Sequence, residues 1–189
     1  MNNAPVVLVF AGPNGSGKST VTEGFDIIGE YINADDIKKQ QSCTDLEAAQ
    51  YATTLREDAV KNRRDFTFET VLSSPRNVEL LKSAKASGYR IEVVFVLTAD
   101  PQINIARVEN RVKNGGHDVP KDKIVSRYYK SINNLSELLK LADVMWVVDN
   151  SEEKAKLIIY SKDNNILVEE TSLWSVEKIN ELMSGYKSN

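Results

Sequence analysis

The sequence predicts an α/β fold of the P-loop NTPase type, in which helices cover both faces of a parallel sheet. Apolar, β-branched runs of strand length recur along the 189-residue chain, and helix start signals lie between them. A phosphate-binding sequence motif also follows the first of these runs. Strands that alternate with helices and are apolar at consecutive positions are typical of a parallel sheet buried on both faces.

The predicted strands occupy residues 6–11, 31–34, 66–69, 91–97 and 144–148. Thr44 and Glu47 have the spacing of a capping box and open a helix that runs to about residue 62. Ser74 and Asp100 each precede a proline, which suits the first position of a helix. Glycines are expected where two helices end, at Gly88 and Gly115.

The segment 120–141 repeats apolar residues at a spacing close to 3.6, which predicts the longest amphipathic helix of the chain. After residue 148 the pattern changes to a hairpin, with strands at 157–160 and 166–168, and Ser175 is expected to cap a last helix to about Met183. We predict one small-kinase-like domain over residues 1–189. Its core covers about 5–150, with a helical lid, and 151–189 form a hairpin and helix appendage.

Composition excludes several classes of protein. The net charge of -3 and pI near 5.4 provide no global basic field, so a nucleic-acid partner is not expected. One cysteine, Cys43, excludes a disulfide framework. The apolar run near the N-terminus is far shorter than the roughly 20 residues that span a bilayer, and no basic leader precedes it. We therefore expect a cytoplasmic protein without a membrane partner.

Residues 12–19 read GPNGSGKS and match the pattern G-x-x-x-x-G-K-[ST] between a predicted strand and a predicted helix. Backbone N–H groups of such a loop point at phosphate oxygens, Lys18 reaches the β- and γ-phosphates, and Ser19 ligates magnesium. The alternative is a glycine-rich turn with an exposed lysine. The motif predicts an ATP and Mg²⁺ site made of Gly12, Pro13, Asn14, Gly15, Ser16, Gly17, Lys18, Ser19 and Thr20.

Polar residues follow the second and third predicted strands. Asn33, Asp35 and Asp36 come just past the second strand, at the edge where doubly wound sheets bind ligands. We assign Asp35 as the base that accepts the proton of a hydroxyl substrate and expect Asn33 to bind that substrate. We assign Asp36 as the N-cap of a helix from Ile37. The alternative for either acid is a capping role alone.

The third predicted strand ends at Glu69, and Thr70 follows it. Both are expected to bind the substrate, and a glutamate there can also hold magnesium through water. The alternative for Glu69 is a capping or surface acid.

The stretch 107–130 is basic although the protein is acidic. Arg107 and Arg111 share a helix face, and a Gly-Gly connection leads to the next helix, which is the outline of a lid. We predict that Arg111 and Arg127 stabilise charge on the transferring phosphoryl group, and that Arg107 and His117 contact substrate. The alternatives are a solvated helix face for the arginines and a structural role for His117.

Five segments together resemble the zeta toxin family, in its stand-alone branch of zeta-like P-loop kinases. They are GPNGSGKST, INADDI, FETVLSS and RVENRVKNGGHDVP followed by RYYKSINNL, within residues 6–148. The resemblance implies phosphorylation of UDP-N-acetylglucosamine at the sugar 3′-hydroxyl, and a small antitoxin that blocks the ATP site. It places Lys18 on the Walker lysine, Asp35 on the base and Glu69 on an acid that contacts the amino sugar.

The arginines match the family pattern less fully. Arg111 falls on one catalytic arginine of the family, whereas the second family arginine aligns near His117, with Arg127 one helical segment later. Two other functions are consistent with the residues. One is a kinase for another small metabolite, and the other is an ATP-dependent regulatory or binding module. Asp35 favours a kinase, because a switch protein needs no acceptor base.

Overall fold

The computed structural model of the protein describes residues 4–184. The strands are β1 (Val6–Ala11), β2 (Glu30–Ile32), β3 (Phe66–Thr70), β4 (Arg90–Leu97), β5 (Val144–Asp149), β6 (Lys156–Lys162) and β7 (Asn165–Val168). They form one sheet in the order β2-β3-β1-β4-β5-β6-β7, in which β1 to β5 are parallel and β6 and β7 are antiparallel. The mainly parallel α/β fold is therefore confirmed.

The helices are α1 (Lys18–Thr22), α2 (Ala34–Gln41), α3 (Asp45–Lys61), α4 (Pro75–Ala86), α5 (Pro101–Lys113), α6 (Lys121–Asn133), α7 (Leu135–Leu141) and α8 (Val176–Leu182). The capping box of Thr44 and Glu47 at the start of α3 is confirmed, as are Asp100 and Ser175 as side-chain caps. Ser74 precedes α4 as predicted, but its side chain makes no capping hydrogen bond.

Alternate residues of β1 enter two different apolar clusters, which explains why the strand is apolar throughout. Val7 and Val9 belong to the large cluster on the side of α3, α4 and α7, whereas Leu8 and Phe10 belong to a second cluster that Phe25 also contacts. A strand with both faces buried cannot alternate apolar and polar residues. A third cluster joins α5 to α6 through Val108 and Ile124.

The predicted hairpin after β5 is confirmed, and it continues the central sheet. Asp163 and Asn164, the two residues of its turn, both have positive φ, as a tight two-residue turn requires. The single domain 1–189 stays a prediction, and its ends at 1–3 and 185–189 lie outside the described residues. None of the helices described between residues 4 and 184 is long and apolar enough to cross a membrane.

Two sequence predictions about helices are wrong. The segment 120–141 forms two helices, because Asn134 ends α6 and its Nδ2 donates a 2.8 Å hydrogen bond to the carbonyl oxygen of Leu72. Likewise, α2 begins at Ala34, three residues earlier than predicted, and Asn33 is its N-cap. Asp36 therefore lies inside the first turn of α2 and is not its N-cap.

Candidate active site

A cleft of about 730 Å³ lies at the carboxyl ends of the parallel strands. The segments that follow β1, β2, β3 and β5 contribute to its wall, together with one side of α5. Ligands bind at this edge in open α/β sheets, because the chain passes there from strand to helix. The sequence-predicted P-loop and the acidic residues after β2 and β3 therefore meet in one cavity.

The loop from Gly12 to Gly17 has the backbone form that phosphate binding requires. Gly15 has φ of 77°, and a Cβ there would lie 2.5 Å from the carbonyl oxygen of Asn104. A side chain at this position is thus excluded both by conformation and by contact. Gly17, with φ of 82°, precedes the short helix α1.

The side chain of Lys18 folds back onto the P-loop to which it belongs. Its Nζ donates to the carbonyl oxygens of Gly12 at 2.9 Å and Pro13 at 3.3 Å. Burial lowers the pKa of Lys18 to about 8, with the charge of Glu69 opposing this shift and that of Arg111 adding to it. The ammonium therefore lies between the loop carbonyls and the rest of the cleft, where a terminal phosphate would meet it.

Two buried asparagines donate hydrogen bonds to backbone carbonyl groups of the P-loop, and sequence reasoning missed both. Asn104 of α5 donates from Nδ2 to the carbonyl oxygen of Asn14 at 2.6 Å, and its Oδ1 accepts from the Thr98 hydroxyl. Asn150 donates from Nδ2 to the carbonyl oxygen of Ser16 at 2.9 Å. Asn150 directly follows β5, so the rule that drew attention to polar residues after β2 and β3 would also have found it.

The acidic side of the cleft holds the predicted base and the predicted substrate ligands. Asp35 lies exposed in the cleft wall, in the first turn of α2. Asn33 caps that helix by accepting from the Asp35 backbone N–H at 2.8 Å, which fixes the direction in which α2 leaves the sheet. Asp35 is thereby held at the cleft.

Glu69 accepts a 2.8 Å hydrogen bond from the Tyr31 hydroxyl, whose oxygen in turn accepts from Asn33 Nδ2 at 3.1 Å. Burial raises the pKa of Tyr31, so the phenol stays protonated and keeps donating to Glu69. Thr70 also lines the cleft, but its hydroxyl oxygen already accepts from the Leu72 N–H and Asn77 Nδ2. Only its hydroxyl proton is left for a ligand.

The predicted arginines take different positions. Arg107 and Arg111 line the cleft, and Arg107 donates to the carbonyl oxygen of Ser16 at 3.3 Å. Arg127 comes from α6 and donates to Asn14 Oδ1 at 3.2 Å, so it touches the P-loop without being part of the cleft wall.

His117 is exposed outside the cleft wall, where its carbonyl oxygen accepts from Arg111 Nη2 at 2.7 Å. The predicted substrate role of this side chain thus has no support from its position.

Within residues 4–184, no group of three or more His, Cys, Asp or Glu residues is arranged to hold a metal ion. In P-loop enzymes magnesium is held by the P-loop hydroxyl, by phosphate oxygens and by one or two carboxylates, so a cluster of three such side chains is not required. Ser19 lies in the cleft wall next to Lys18, which fits the hydroxyl ligand that the motif predicts.

Known proteins that resemble this chain identify its family. The family model for the zeta toxin matches residues 27–165. An uncharacterized protein of Haemophilus influenzae is 32% identical over 127 residues, which cover 64% of this chain and 91% of that protein. The family match begins after the P-loop, so the prediction of a phosphate-binding site rests on the sequence motif and on the geometry of the loop.

Two solved structures are similar in fold. The AvrRxo1-ORF1:-ORF2 structure with ATP superposes with a TM-score of 0.73 at 12% identity, over 96% of this chain and 64% of that one. The chain thus spans less than two thirds of that protein. A structure from the PezAT toxin-antitoxin system of Streptococcus pneumoniae superposes with a TM-score of 0.59 at 17% identity, over 97% of this chain and 85% of that one. Because the family model matches most of the chain, the protein belongs to the zeta toxin family.

Proposed function

We propose that the protein is a kinase that transfers the γ-phosphate of ATP to a hydroxyl group of a small substrate. The observation that supports this most is that Lys18 of the P-loop and the carboxylate of Asp35 line the same cleft. A nucleotide switch needs the first group only, whereas a kinase needs a phosphate site and an acceptor site side by side. Membership of the zeta toxin family agrees with this assignment.

Each part of the cleft has a role in this proposal. The P-loop N–H groups and Lys18 hold the phosphates of ATP, and the Ser19 hydroxyl ligates Mg²⁺, which would neutralise phosphate charge when bound. Asp35 accepts the proton of the attacking hydroxyl, work for which an exposed carboxylate in the cleft wall is suited. Arg107 and Arg111 face the cleft from α5 and stabilise negative charge on the phosphoryl group.

For the acceptor, we propose UDP-N-acetylglucosamine or a related sugar nucleotide. This follows from the family resemblance of the segments around Asp35 and Glu69. The hydrogen bond between Tyr31 and Glu69 supports this proposal. It holds one oxygen of the Glu69 carboxylate in place, so that the other oxygen can accept a hydrogen bond from a sugar hydroxyl. A kinase for another small metabolite remains the competing acceptor hypothesis, and an ATP-dependent regulatory module the competing function.

We also propose that a small antitoxin protein binds this kinase. The support is that one similar structure comes from a toxin-antitoxin system and another is a complex of two open-reading-frame products. The toxin-antitoxin structure is from Streptococcus pneumoniae, and its antitoxin is the partner within that system.

The test is a phosphotransfer assay with purified protein, labelled ATP and Mg²⁺ against a panel of UDP-sugars, nucleosides and free sugars. The mass of each product identifies the acceptor, and Lys18→Ala serves as the inactive control. Labelled product with UDP-N-acetylglucosamine supports the full proposal. Transfer to a different compound leaves a kinase with another acceptor, and hydrolysis to phosphate with every compound contradicts the kinase assignment.

A further inference from the structure

Arg56 of α3 is a buried cation that neither the P-loop motif nor the family resemblance singled out. The residue is 7% exposed, yet it contributes to the wall of the active-site cleft. Buried arginines normally pair with a carboxylate, because an unpaired charge inside a protein is strongly destabilising. Within the described residues 4–184, no carboxylate lies at ion-pair distance from Arg56.

Within residues 4–184, only some of the N–H donors of this guanidinium have hydrogen-bond partners. Nη2 donates to the carbonyl oxygen of Ile32 at 3.2 Å, and the guanidinium carbon lies 4.5 Å from the centre of the Phe68 ring. A cation–π contact of this kind offsets part of the cost of burying the charge. Nε is buried and has no hydrogen-bond partner in the described part of the chain. Burial lowers the pKa of Arg56 to about 10, so the group is still charged at neutral pH.

The position of Arg56 places it on the acceptor side of the cleft. Ile32, whose carbonyl oxygen it contacts, is close in sequence to Asp35, and Phe68 directly precedes Glu69. The arginine contacts to the P-loop, by contrast, come from Arg107 of α5 and Arg127 of α6. A planar group with unused N–H donors in such a place suits an anion, since arginine binds phosphate and carboxylate through paired hydrogen bonds.

We propose that Arg56 binds an anionic group of the phosphoryl acceptor, so that the substrate is a hydroxyl compound carrying a phosphate, diphosphate or carboxylate. The inference rests on the proposed kinase function, because it takes this half of the cleft as the acceptor site. It names the residue that selects anionic over neutral acceptors. The buried charge provides attraction for the anion, and Phe68 holds the guanidinium plane in position.

The test measures equilibrium binding, so that it does not depend on turnover. Protein saturated with a non-hydrolysable ATP analogue and Mg²⁺ is titrated by calorimetry with UDP-N-acetylglucosamine, N-acetylglucosamine 6-phosphate, glucuronic acid and neutral N-acetylglucosamine. We expect at least one anionic compound to bind about tenfold or more tightly than the neutral sugar, as a charged hydrogen bond predicts. The three anionic compounds distinguish a diphosphate, a phosphate and a carboxylate as the recognised group.

The variant Arg56→Met keeps most of the side-chain volume over Phe68 and removes the charge. It should weaken binding of the anionic compound by about 10- to 100-fold, with affinity for the ATP analogue within a few-fold of wild type. Arg56→Lys should recover only part of the loss, because lysine lacks the planar fork. The matched control is Arg76→Met, an exposed arginine that is not in the cleft wall, and it should bind like wild type.

Two results would overturn the inference. One is that the wild-type protein binds none of the anionic compounds more tightly than the neutral sugar. This result does not depend on whether the Arg56 variants fold. The other is a folded Arg56→Met that binds the anionic compound as wild type does. Failure of the kinase proposal is a separate result: anionic compounds would bind through Arg56, but no labelled phosphate would reach any of them.

Discussion

Asn104 Nδ2 lies 2.6 Å from the carbonyl oxygen of Asn14, so a buried side chain of α5 is hydrogen-bonded to the P-loop. The same helix carries Arg107 and Arg111 into the cleft. The first half of the predicted lid is therefore hydrogen-bonded to the predicted phosphate site. We expect any closing motion to occur beyond Arg111, in the connection that leads to α6.

The Asn104 contact predicts the effect of Asn104→Asp, which keeps the shape of the side chain but replaces the donor by a carboxylate oxygen. That oxygen would face the carbonyl oxygen of Asn14, so the P-loop should be displaced. We expect KM for ATP to rise about tenfold or more and the protein to lose about 1 to 3 kcal/mol of stability. Steady-state kinetics and urea unfolding check both effects. The control Asn110→Asp, exposed on the same helix, should change neither, and a normal KM in Asn104→Asp would contradict the supporting role.

The proposed base predicts the behaviour of Asp35→Asn. The amide can still hydrogen-bond an acceptor hydroxyl but cannot take its proton, so turnover should fall about 100-fold or more while ATP affinity changes only a few-fold. Asp36→Asn is the matched control, because it removes only an exposed ion pair with Lys39. Titration with an ATP analogue and single-turnover kinetics measure the two properties. Loss of nucleotide binding in Asp35→Asn would instead make Asp35 a metal or nucleotide ligand.

Burial of the Lys18 charge predicts that function and stability oppose each other at this position. Lys18→Met should abolish phosphotransfer and yet raise the free energy of unfolding of the nucleotide-free protein at pH 7. The reason is that the variant no longer buries an ammonium group. Lys39→Met, an exposed lysine, is the control and should change neither property appreciably.

The stability that Lys18→Met gains over the wild type should decrease as the pH rises. The pKa of Lys18 is lowered to about 8 in the folded protein from 10.5. Below pH 8 the lysine is charged in both states, so the full cost of burying it is present. Between pH 8 and 10.5 the folded state loses its proton first, and the cost fades. Urea unfolding at pH 7 and pH 10 should thus show a smaller gain for Lys18→Met at pH 10, and an equal or larger gain would be inconsistent with a buried charge.

The cleft arginines predict a kinetic result. If Arg111 stabilises the transferring phosphoryl group, Arg111→Ala should lower kcat about 100-fold or more with little change in KM for ATP. Arg111→Lys should recover only part of this activity. Arg107→Ala and Arg127→Ala should also raise KM for ATP, because both side chains contact the P-loop. Near-normal turnover in all three alanine variants, each shown to be folded by circular dichroism, would mean that the arginines form a solvated surface.

The sequence determined those parts of the protein whose signals are local. The P-loop is a contiguous motif, and β1, the strand that precedes it, is apolar at every position because both of its faces are buried. The strand pattern alone predicts that Asp35, Glu69 and Thr70 lie together, since the carboxyl ends of parallel strands share one edge of the sheet. Cap positions such as Thr44 and Asp100 were also predicted, because capping depends on only a few neighbouring residues.

Tertiary structure decided the contacts between residues that are distant in sequence. Asn134 divides the predicted long helix only because Leu72 offers it a carbonyl oxygen, and that partner lies 62 residues away in the chain. Asn104 supports the P-loop across 90 residues, a pairing that no spacing rule contains. Arg56 looks like an ordinary position on the helical pattern of α3, and only the packing of Phe68 and Ile32 around it makes it a buried cation at the cleft. Local periodicity specifies which elements form, whereas the partner of each buried polar group depends on how those elements pack.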